Sequence, residues 1–313
     1  MQTQTRVVKV GESINEALIQ AAQGPLVIQL EEGVYTEKVY INRPDVTLLG
    51  RGREQTMLSY GDAAFMERDG KMMGTFATAS VNVCAPFFHA ESLTIANSFD
   101  YETHRQRVEE NPGKVKGLQA VAFRTCTGAD YTTLTDCALL GWQDTLLLDC
   151  GSHRLQNCLI AGNIDFIFGG GAALFEECTI LSRGSGYLTA PSTKQEKLGF
   201  VLYRCNLVRE AKVADGSVFL GRPWHPGADP AINSFCLLHE CHLDAHIHPS
   251  GWTWMHAFPP GGGEVIFKAE DSRFFESSCH GPGALGGREN CEKCEALSII
   301  EQVLEQLQIL DMR

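Results

Sequence analysis

The sequence predicts an all-β protein that folds as a β-solenoid, in which each coil of short strands stacks on the coil before it. The first observation is a repeated unit made of a polar residue, a cysteine, any residue and an aliphatic residue. The second is that short apolar segments fill the intervals, while helical periodicity is absent through the middle of the chain. A repeat of roughly twenty residues is typical of a β-solenoid, because each coil covers the inward side chains of its neighbour.

Five copies of the repeated unit carry the cysteine. The first three cysteines are 21 and 20 residues apart, and the later spacings grow to 27 and 36 residues. We expect the thiols to behave as small apolar side chains and to form a buried ladder. An ordinary α/β sheet is the alternative, but it would need a helix of about ten or more residues between its parallel strands. The five cysteines are Cys137, Cys158, Cys178, Cys205 and Cys241.

Short segments rich in aliphatic and β-branched residues are the predicted strands of the coils. Each is bounded by polar or turn-forming residues, as strands usually are. They cover residues 46–50, 120–123, 145–148, 165–168, 200–203 and 218–221.

The two ends of the chain differ from its middle. Ser13 and Glu16 form a capping-box pattern, which predicts a short helix that covers the N-terminal end of the solenoid. Residues 292–310 carry apolar residues on one helical face, including Leu297 and Ile300, and we expect this helix to cover the other end or to pack along the side. The predicted domains are a β-helix over residues 1–290 and a helical tail over residues 291–313. A dimer contact through the tail is the alternative to the expected monomer.

The overall charge and composition exclude several classes of protein. A net charge of −12 argues against a nucleic-acid-binding protein, which needs clustered Lys and Arg to neutralise phosphates. We expect no membrane contact, because no run of 18 uncharged apolar residues occurs. The N-terminus has no apolar run typical of a signal peptide, so we expect a cytoplasmic protein, or a secreted one if a leader was removed. The twelve cysteines are then expected to be free thiols.

Two aspartates repeat at the same spacing as the cysteine ladder. Asp144 and Asp165 are 21 residues apart, as are Cys137 and Cys158, so they should lie in neighbouring coils about 4.8 Å apart. Two carboxylates at that distance repel unless one holds a proton or both share a cation, which favours acid/base or nucleophilic chemistry. The amides of Gln119 and Gln143 could join them as donors to an oxyanion. A structural ladder of polar side chains inside the turns is the alternative.

Four ordered segments give the chain a resemblance to the pectin methylesterases. They are QAVAF at 119–123, GWQDTL at 141–146, DFIFG at 165–169 and LGRPW at 220–224. Weaker matches at 33–37, 251–255 and 281–284 extend the resemblance over about residues 7–287. Four motifs in the same order are far more specific than any one of them.

The resemblance implies a right-handed parallel β-helix that hydrolyses the methyl esters of polygalacturonic acid, or of its oligomers, without a metal or other cofactor. Asp165 resembles the family's nucleophile, and Asp144 resembles the acid that protonates methanol and then activates water. Gln143, with Gln119 beside it, resembles the oxyanion donor. Arg222 resembles the guanidinium that keeps the nucleophile ionised.

The resemblance also implies an apolar wall for the sugar rings, formed by Trp224, Phe168, Trp252 and Met255. Trp252 and Trp254 alternate along a strand, so only one of them should face the cleft. The chain departs from the family at Leu147, where an aromatic residue is common, and this puts the sugar preference on that side in doubt. A charged insertion at 101–116 is expected to be a loop, either at the cleft rim or on the solvated surface.

Other functions remain open at this stage. A calcium-dependent polysaccharide lyase on the same fold would need clustered carboxylates that the sequence does not show near Asp144 and Asp165. A carbohydrate-binding β-helix, or an esterase or thioesterase acting on another ester, is the stronger alternative. Histidines at 239, 242, 246 and 248 surround Cys241, but alternation along a strand separates them, so no metal site is predicted. Cys291 and Cys294 form a lone pair whose role the sequence does not indicate.

Overall fold

The computed structural model describes residues 2–110, 117–285 and 287–308, and one face of its coils is a ten-stranded parallel sheet. Each strand pairs in register with the equivalent strand of the next coil. The chain therefore advances by one coil between neighbouring strands, as a parallel β-helix requires. The strands are Gln4–Val8, Leu26–Leu30, Val46–Leu49, Phe88–Glu91, Thr132–Thr135, Ser152–Gln156, Ala172–Glu176, Phe200–Tyr203, Phe235–His239 and Arg273–Ser277.

A second parallel sheet of thirteen strands has two branches, which form the other two faces of the coils. Two long strands, Leu159–Gly169 and Thr179–Pro191, run through both branches and join them. The first branch also contains Gly33–Tyr35, Thr56–Tyr60, Thr94–Asn97, Ala138–Leu140, Asn206–Arg209 and His242–Leu243. The second also contains Val39–Ile41, Val81–Val83, Phe123–Thr125, Leu146–Leu148 and Val218–Gly221.

Two antiparallel hairpins stand outside these sheets. Strands Glu67–Arg68 and Lys71–Met72 form one, and Met255–Ala257 and Val265–Phe267 form the other. The second hairpin begins with Met255, one of the residues predicted to line the cleft.

The repeated cysteine unit is a turn between the two sheets. In all five units the polar residue has a left-handed backbone with φ between 51° and 54°, and the cysteine after it is buried. The left-handed residue turns the chain so that the thiol points into the coil, where it donates to backbone carbonyls, as Cys137 does to Ala90 at 3.4 Å. The predicted ladder is confirmed. Cys279, which follows the left-handed Ser278, continues it by one coil and was missed.

The predicted strands agree with the structure except at 120–123. Strands at 200–203 and 218–221 have the predicted bounds, whereas residues 120–122 precede the strand Phe123–Thr125. The amides of Ala120 and Ala122 donate to the carbonyls of Gln143 and Thr145 in the next coil, outside the regular strand ladder. Apolar composition alone therefore placed this strand too early.

The N-terminal helix α1, Ile14–Gln20, covers the end of the coil stack as predicted. Ser13 caps it, with its hydroxyl accepting from the amide of Glu16 at 3.1 Å. The carboxylate of Glu37 accepts from the Ser13 hydroxyl at 2.6 Å and from the Ile14 amide at 2.8 Å. Glu37, from the next part of the solenoid, thus ties the cap to the coil beneath it.

The charged insertion begins with a helix, α2, over Tyr101–Glu110, so the predicted loop was wrong for these ten residues. The remainder, 111–116, lies outside the described residues.

The C-terminal helix α3, Lys293–Gln308, packs along the side of the ten-stranded sheet. Its buried residues Ala296, Ile300, Val303 and Leu307 contact Leu174, Val201, Phe235 and Leu237 of the sheet. Leu297 was predicted on this face but is 37% exposed, because the helix is rotated so that Ala296 faces the sheet instead. Within the described residues, no helix combines the length and apolarity that a membrane span requires.

Candidate active site

Asp144 and Asp165 lie in neighbouring coils, as their spacing predicts. Two residues after each aspartate, Leu146 pairs with Ile167, which preserves the offset of 21 residues. The amide of Asp144 also donates to the carbonyl of Ile164 at 3.0 Å. Both aspartates have a left-handed backbone, with φ of 65° and 48°, and each is only 7% exposed. Left-handed backbone is uncommon outside glycine, but in this fold the polar residues of the cysteine turns share it, so it is a feature of the coil geometry.

Arg222 forms a two-pronged ion pair with Asp165. Its Nε donates to Oδ1 at 2.9 Å, and its Nη2 donates to Oδ2 at 2.6 Å. Gly221 lets this coil approach its neighbour, because a Cβ there would lie 2.1 Å from Thr189 Oγ1. Pro223 restricts Arg222 to an extended backbone. The sequence Gly-Arg-Pro therefore fixes the backbone from which the guanidinium reaches Asp165.

The two aspartates have different electrostatic surroundings. Burial, and then the negative charge of Asp165, raise the pKa of Asp144 well above its ordinary value, and the charge of Arg222 offsets this only partly. Burial also raises the pKa of Asp165, but the hydrogen bonds and charge of Arg222 oppose that rise directly. Arg222 stabilises the carboxylate form of Asp165, so Asp144 is the better holder of a shared proton.

The amides of Gln119 and Gln143 lie beside the carboxylates. The backbone of Ala120 donates to the carbonyl of Gln143 at 3.1 Å, which joins their coils, and both glutamines line the same cleft as Asp144 and Asp165. Among the described residues, neither side-chain amide has a hydrogen-bond partner. Both amides can therefore donate to a bound oxygen atom.

The cleft around these groups has a volume of about 240 Å³ and one apolar wall. Phe168 and Trp224 face each other with ring centres 5.6 Å apart, and Met255 lies on the same cleft. Thr75 and Phe76 also line it, and Phe76 meets the edge of Trp224 at 6.5 Å. These two residues were not predicted, because they lie on a short 3-10 turn far from the motifs and carry no periodic signal.

The structure does not bring Trp252 into this cleft. Its ring stacks on Phe274 at 4.5 Å, and its Nε1 donates to Glu276 at 3.2 Å. Trp252 and Trp254 both line a separate surface depression, and Trp254 is 53% exposed there. Strand alternation predicted that one of the two would line the cleft, but both lie away from it, and Met255 alone of this segment reaches it.

The departure at Leu147 also has a structural consequence. Leu147 is fully buried and packs with Phe168, Val121 and Ala190 beneath the cleft. The wall is therefore supported by an aliphatic side chain where the family often has an aromatic one.

The first residue of α2 approaches the site from outside the coils. Tyr101 is buried, stacks on Trp142 with ring centres 5.2 Å apart, and accepts from Asn163 Nδ2 at 3.1 Å. Arg183 lies over the Trp142 ring at 3.9 Å. Trp142 directly precedes Gln143, so these contacts fix the backbone that carries the second glutamine.

No group of three His, Cys, Asp or Glu side chains is arranged to hold a metal ion within the described part of the chain. His246, one of the clustered histidines, bonds Ser182 Oγ through Nε2 at 3.1 Å.

The comparisons with known proteins agree with this geometry. The family model described as Pectinesterase matches residues 2–270, which is most of the chain. The chain belongs to the pectinesterase family. It is accordingly a carboxylic-ester hydrolase, and it carries the parallel β-helix of the family's solved structures.

Individual pectinesterases are similar over nearly the whole chain. Pectinesterase A of Dickeya chrysanthemi is 35% identical over 310 residues, which cover 92% of this chain and 84% of that protein. The pectin methylesterase of Yersinia enterocolitica is 35% identical with a TM-score of 0.88, covering 93% of this chain and 98% of that one. A pectin methylesterase solved in complex with hexasaccharide VII is 33% identical with a TM-score of 0.88, covering 93% and 92%.

The raised pKa of Asp144 predicts how this pectinesterase responds to pH. Above an ordinary aspartate pKa of ~4 the unfolded chain holds fewer protons than the folded one, so stability falls as pH rises toward the raised pKa. We expect Asp144→Asn to be more stable than the wild type, with a gain that grows over this range and is absent below pH ~4. Urea unfolding at a series of pH values measures it.

The matched control is Asp136→Asn, which changes a half-buried aspartate that has the same left-handed backbone, φ 52°, and lies outside the cleft. It is expected to give no gain that grows with pH. A stability difference for Asp144→Asn that is independent of pH would contradict the assignment of a buried, proton-holding Asp144.

Proposed function

We propose that this pectinesterase hydrolyses the methyl esters of galacturonic acid units in pectic chains, with Asp165 as the nucleophile. The observation that carries the proposal is the asymmetry of the two carboxylates. Arg222 holds Asp165 through two hydrogen bonds, while Asp144 is buried beside it without such a partner. A carbohydrate-binding surface has no need of such a pair, and a calcium-dependent lyase would need cation-binding carboxylates where Arg222 stands.

In the first step the ionised carboxylate of Asp165 attacks the ester carbonyl and forms a carbon–oxygen bond. The carbonyl oxygen becomes an oxyanion, and the side-chain amides of Gln143 and Gln119 donate hydrogen bonds to it. Donors that are already in place when charge develops lower the barrier because they need no reorganisation. Removing one such donor in other hydrolases costs about 10²- to 10³-fold in kcat.

In the second step the oxyanion collapses and the bond to the methoxy oxygen breaks. Asp144 gives its proton to that oxygen, so methanol leaves neutral and an anhydride joins Asp165 to the sugar acid.

In the third step the ionised Asp144 takes a proton from water, which attacks the anhydride. Asp165 leaves as a carboxylate, and the product is a free galacturonate.

The apolar wall explains the preference for an ester over a free acid. Phe168 is 3% exposed, and with Trp224 and Met255 it offers a surface for a sugar ring and a methyl group. A free carboxylate placed there would face the negative charge of Asp165. The relative that was solved with hexasaccharide VII supports an oligosaccharide as the occupant of this cleft.

We expect the purified protein to release methanol from methyl-esterified oligogalacturonides in the presence of a chelator. Asp165→Asn should abolish release, because an amide is a poor nucleophile and cannot form the anhydride. The control, Asp136→Asn, should keep the wild-type rate. Methanol release by Asp165→Asn at the wild-type rate would rule out Asp165 as the nucleophile, and no release by the wild type would favour another ester.

We propose that the enzyme acts in the cytoplasm on short pectic fragments. All twelve cysteines are free thiols, including the partly exposed Cys84, Cys126 and Cys291, which suits a reducing compartment. We expect turnover per ester group to be at least as fast on oligomers as on long pectin, measured as methanol release at matched ester concentration. A strong preference for the polymer would contradict the proposal.

We also propose that the enzyme is a monomer. The apolar face of α3 is already used, since Ile300 and Val303 are buried against the chain's own sheet. Light scattering during size-exclusion chromatography should give the mass of one chain, 34.4 kDa, over a range of concentrations. A mass of two chains would contradict it.

A further inference from the structure

Arg222 reaches its partner across an intervening coil. The strand registers align Ile167 with Thr189 and Thr189 with Gly221, so Asp165 and Arg222 belong to coils two steps apart. Neighbouring strands are ~4.8 Å apart, so the side chains of Arg222 and Asp165 together bridge roughly 10 Å of surface. An arginine has many rotamers, and a two-pronged contact requires one of them. Something in the intervening coil must hold the side chain in that rotamer.

Tyr187 occupies the intervening coil beneath the guanidinium. The guanidinium carbon of Arg222 lies 3.8 Å from the centre of the Tyr187 ring. Register pairs place Tyr187 between Ile164, next to Asp165, and Phe219, three residues before Arg222. The ring is thus in the path that the arginine has to cross, and a planar guanidinium stacks well on an aromatic face.

Two further rings support Tyr187 from behind. Phe219 stacks on it at 5.8 Å with an angle of 20° between the planes, and His248 stacks on Phe219 at 4.1 Å and 25°. The ring of Tyr187 is therefore held in a column of three aromatic side chains. Tyr187 is not among the residues that line the cleft, so it contacts the site through Arg222.

We propose that Tyr187 is a positioning residue, whose ring fixes the plane of the Arg222 guanidinium so that Nε and Nη2 both face Asp165. The inference rests on the function proposed above only for its kinetic consequences. The geometric claim concerns the resting enzyme and can be tested without a substrate.

The expected consequence is a change in the ionisation of Asp165. The titratable and charged groups that face Asp165 within the described residues are Arg222 and the protonated Asp144. If the guanidinium tips, Asp165 loses one hydrogen bond to its charged form, while the burial that raises its pKa is unchanged. Its pKa then rises, and the pH below which activity falls moves upward.

The test compares Tyr187→Leu with Tyr187→Phe. We expect Tyr187→Leu to lower kcat about ten- to a hundredfold, to move the acid limb of the pH profile to higher pH, and to leave KM within about twofold. Tyr187→Phe keeps the ring and should restore both values. Phe219→Leu, which leaves Tyr187 in place, should move the limb in the same direction by less.

Tyr203→Leu is the matched control. Its ring lies under another guanidinium, that of Arg204 at 4.6 Å, away from the cleft. It should alter neither kcat nor the pH profile. Equal effects of Tyr187→Leu and Tyr203→Leu would overturn the proposal, as would a rise in KM at unchanged kcat, because that result would mean that Tyr187 contacts the substrate.

A measurement without turnover separates this inference from the proposed function. Carbon-13 NMR of the aspartate carboxyl groups should show Asp165 titrating at higher pH in Tyr187→Leu than in the wild type. If the wild type released no methanol but this shift occurred, the reaction would be wrong and the positioning role right. An unchanged Asp165 titration in a folded Tyr187→Leu or Phe219→Leu would overturn the positioning role.

Discussion

Two buried carboxylates one coil apart repel each other, and Arg222 relieves that repulsion at one of them. Its two hydrogen bonds go to Asp165, while Asp144 keeps its proton because burial and the charge of its neighbour favour the neutral form. One ion pair therefore gives two chemically equal side chains the different protonation states that the proposed nucleophile and acid require. The glutamines and the aromatic wall have a role only if this division exists.

The β-helix supplies the distances that the division needs. Neighbouring coils place Asp144 and Asp165 about one strand spacing apart. Arg222 reaches Asp165 from two coils further on, so its backbone does not compete with theirs for space. The left-handed backbone of both aspartates aims their side chains outward at a bend, into the cleft. The same conformation serves the cysteine turns, where it directs thiols inward. The same left-handed backbone conformation thus occurs both at the turns of the core and at the two aspartates of the site.

The spacing of cysteines in the sequence was enough to predict the coil register, because in-register stacking converts residue number into position. It placed Asp144 beside Asp165 with both glutamines near them, and the motif resemblance added Arg222 and Trp224, all of which line one cleft. Features that do not recur with the coil period were harder to predict from the sequence. The polar helix α2 has no apolar face, and Phe76 reaches the cleft from a turn 68 residues before Asp144, so neither left a pattern to read.

The directions of side chains at strand ends and on helix α3 were also not predictable from the sequence. Alternation predicted that Trp252 or Trp254 would face the cleft, but Trp252 stacks on Phe274 inside the coil stack and the hairpin that follows turns Met255 toward the site. On α3, the rotation that buries Ala296 instead of Leu297 depends on the shape of the sheet beneath it. Both outcomes are set by packing between distant parts of the chain.

The central claim is that the resting enzyme has an ionised Asp165 and a protonated Asp144. Its most direct test is a carbon-13 NMR titration of the wild-type aspartate carboxyl groups, with each resonance assigned by its loss in Asp144→Asn or Asp165→Asn. We expect Asp165 to lose its proton at lower pH than Asp144, because Arg222 stabilises the charged form of Asp165. The reverse order, or a common titration of both groups, would contradict it.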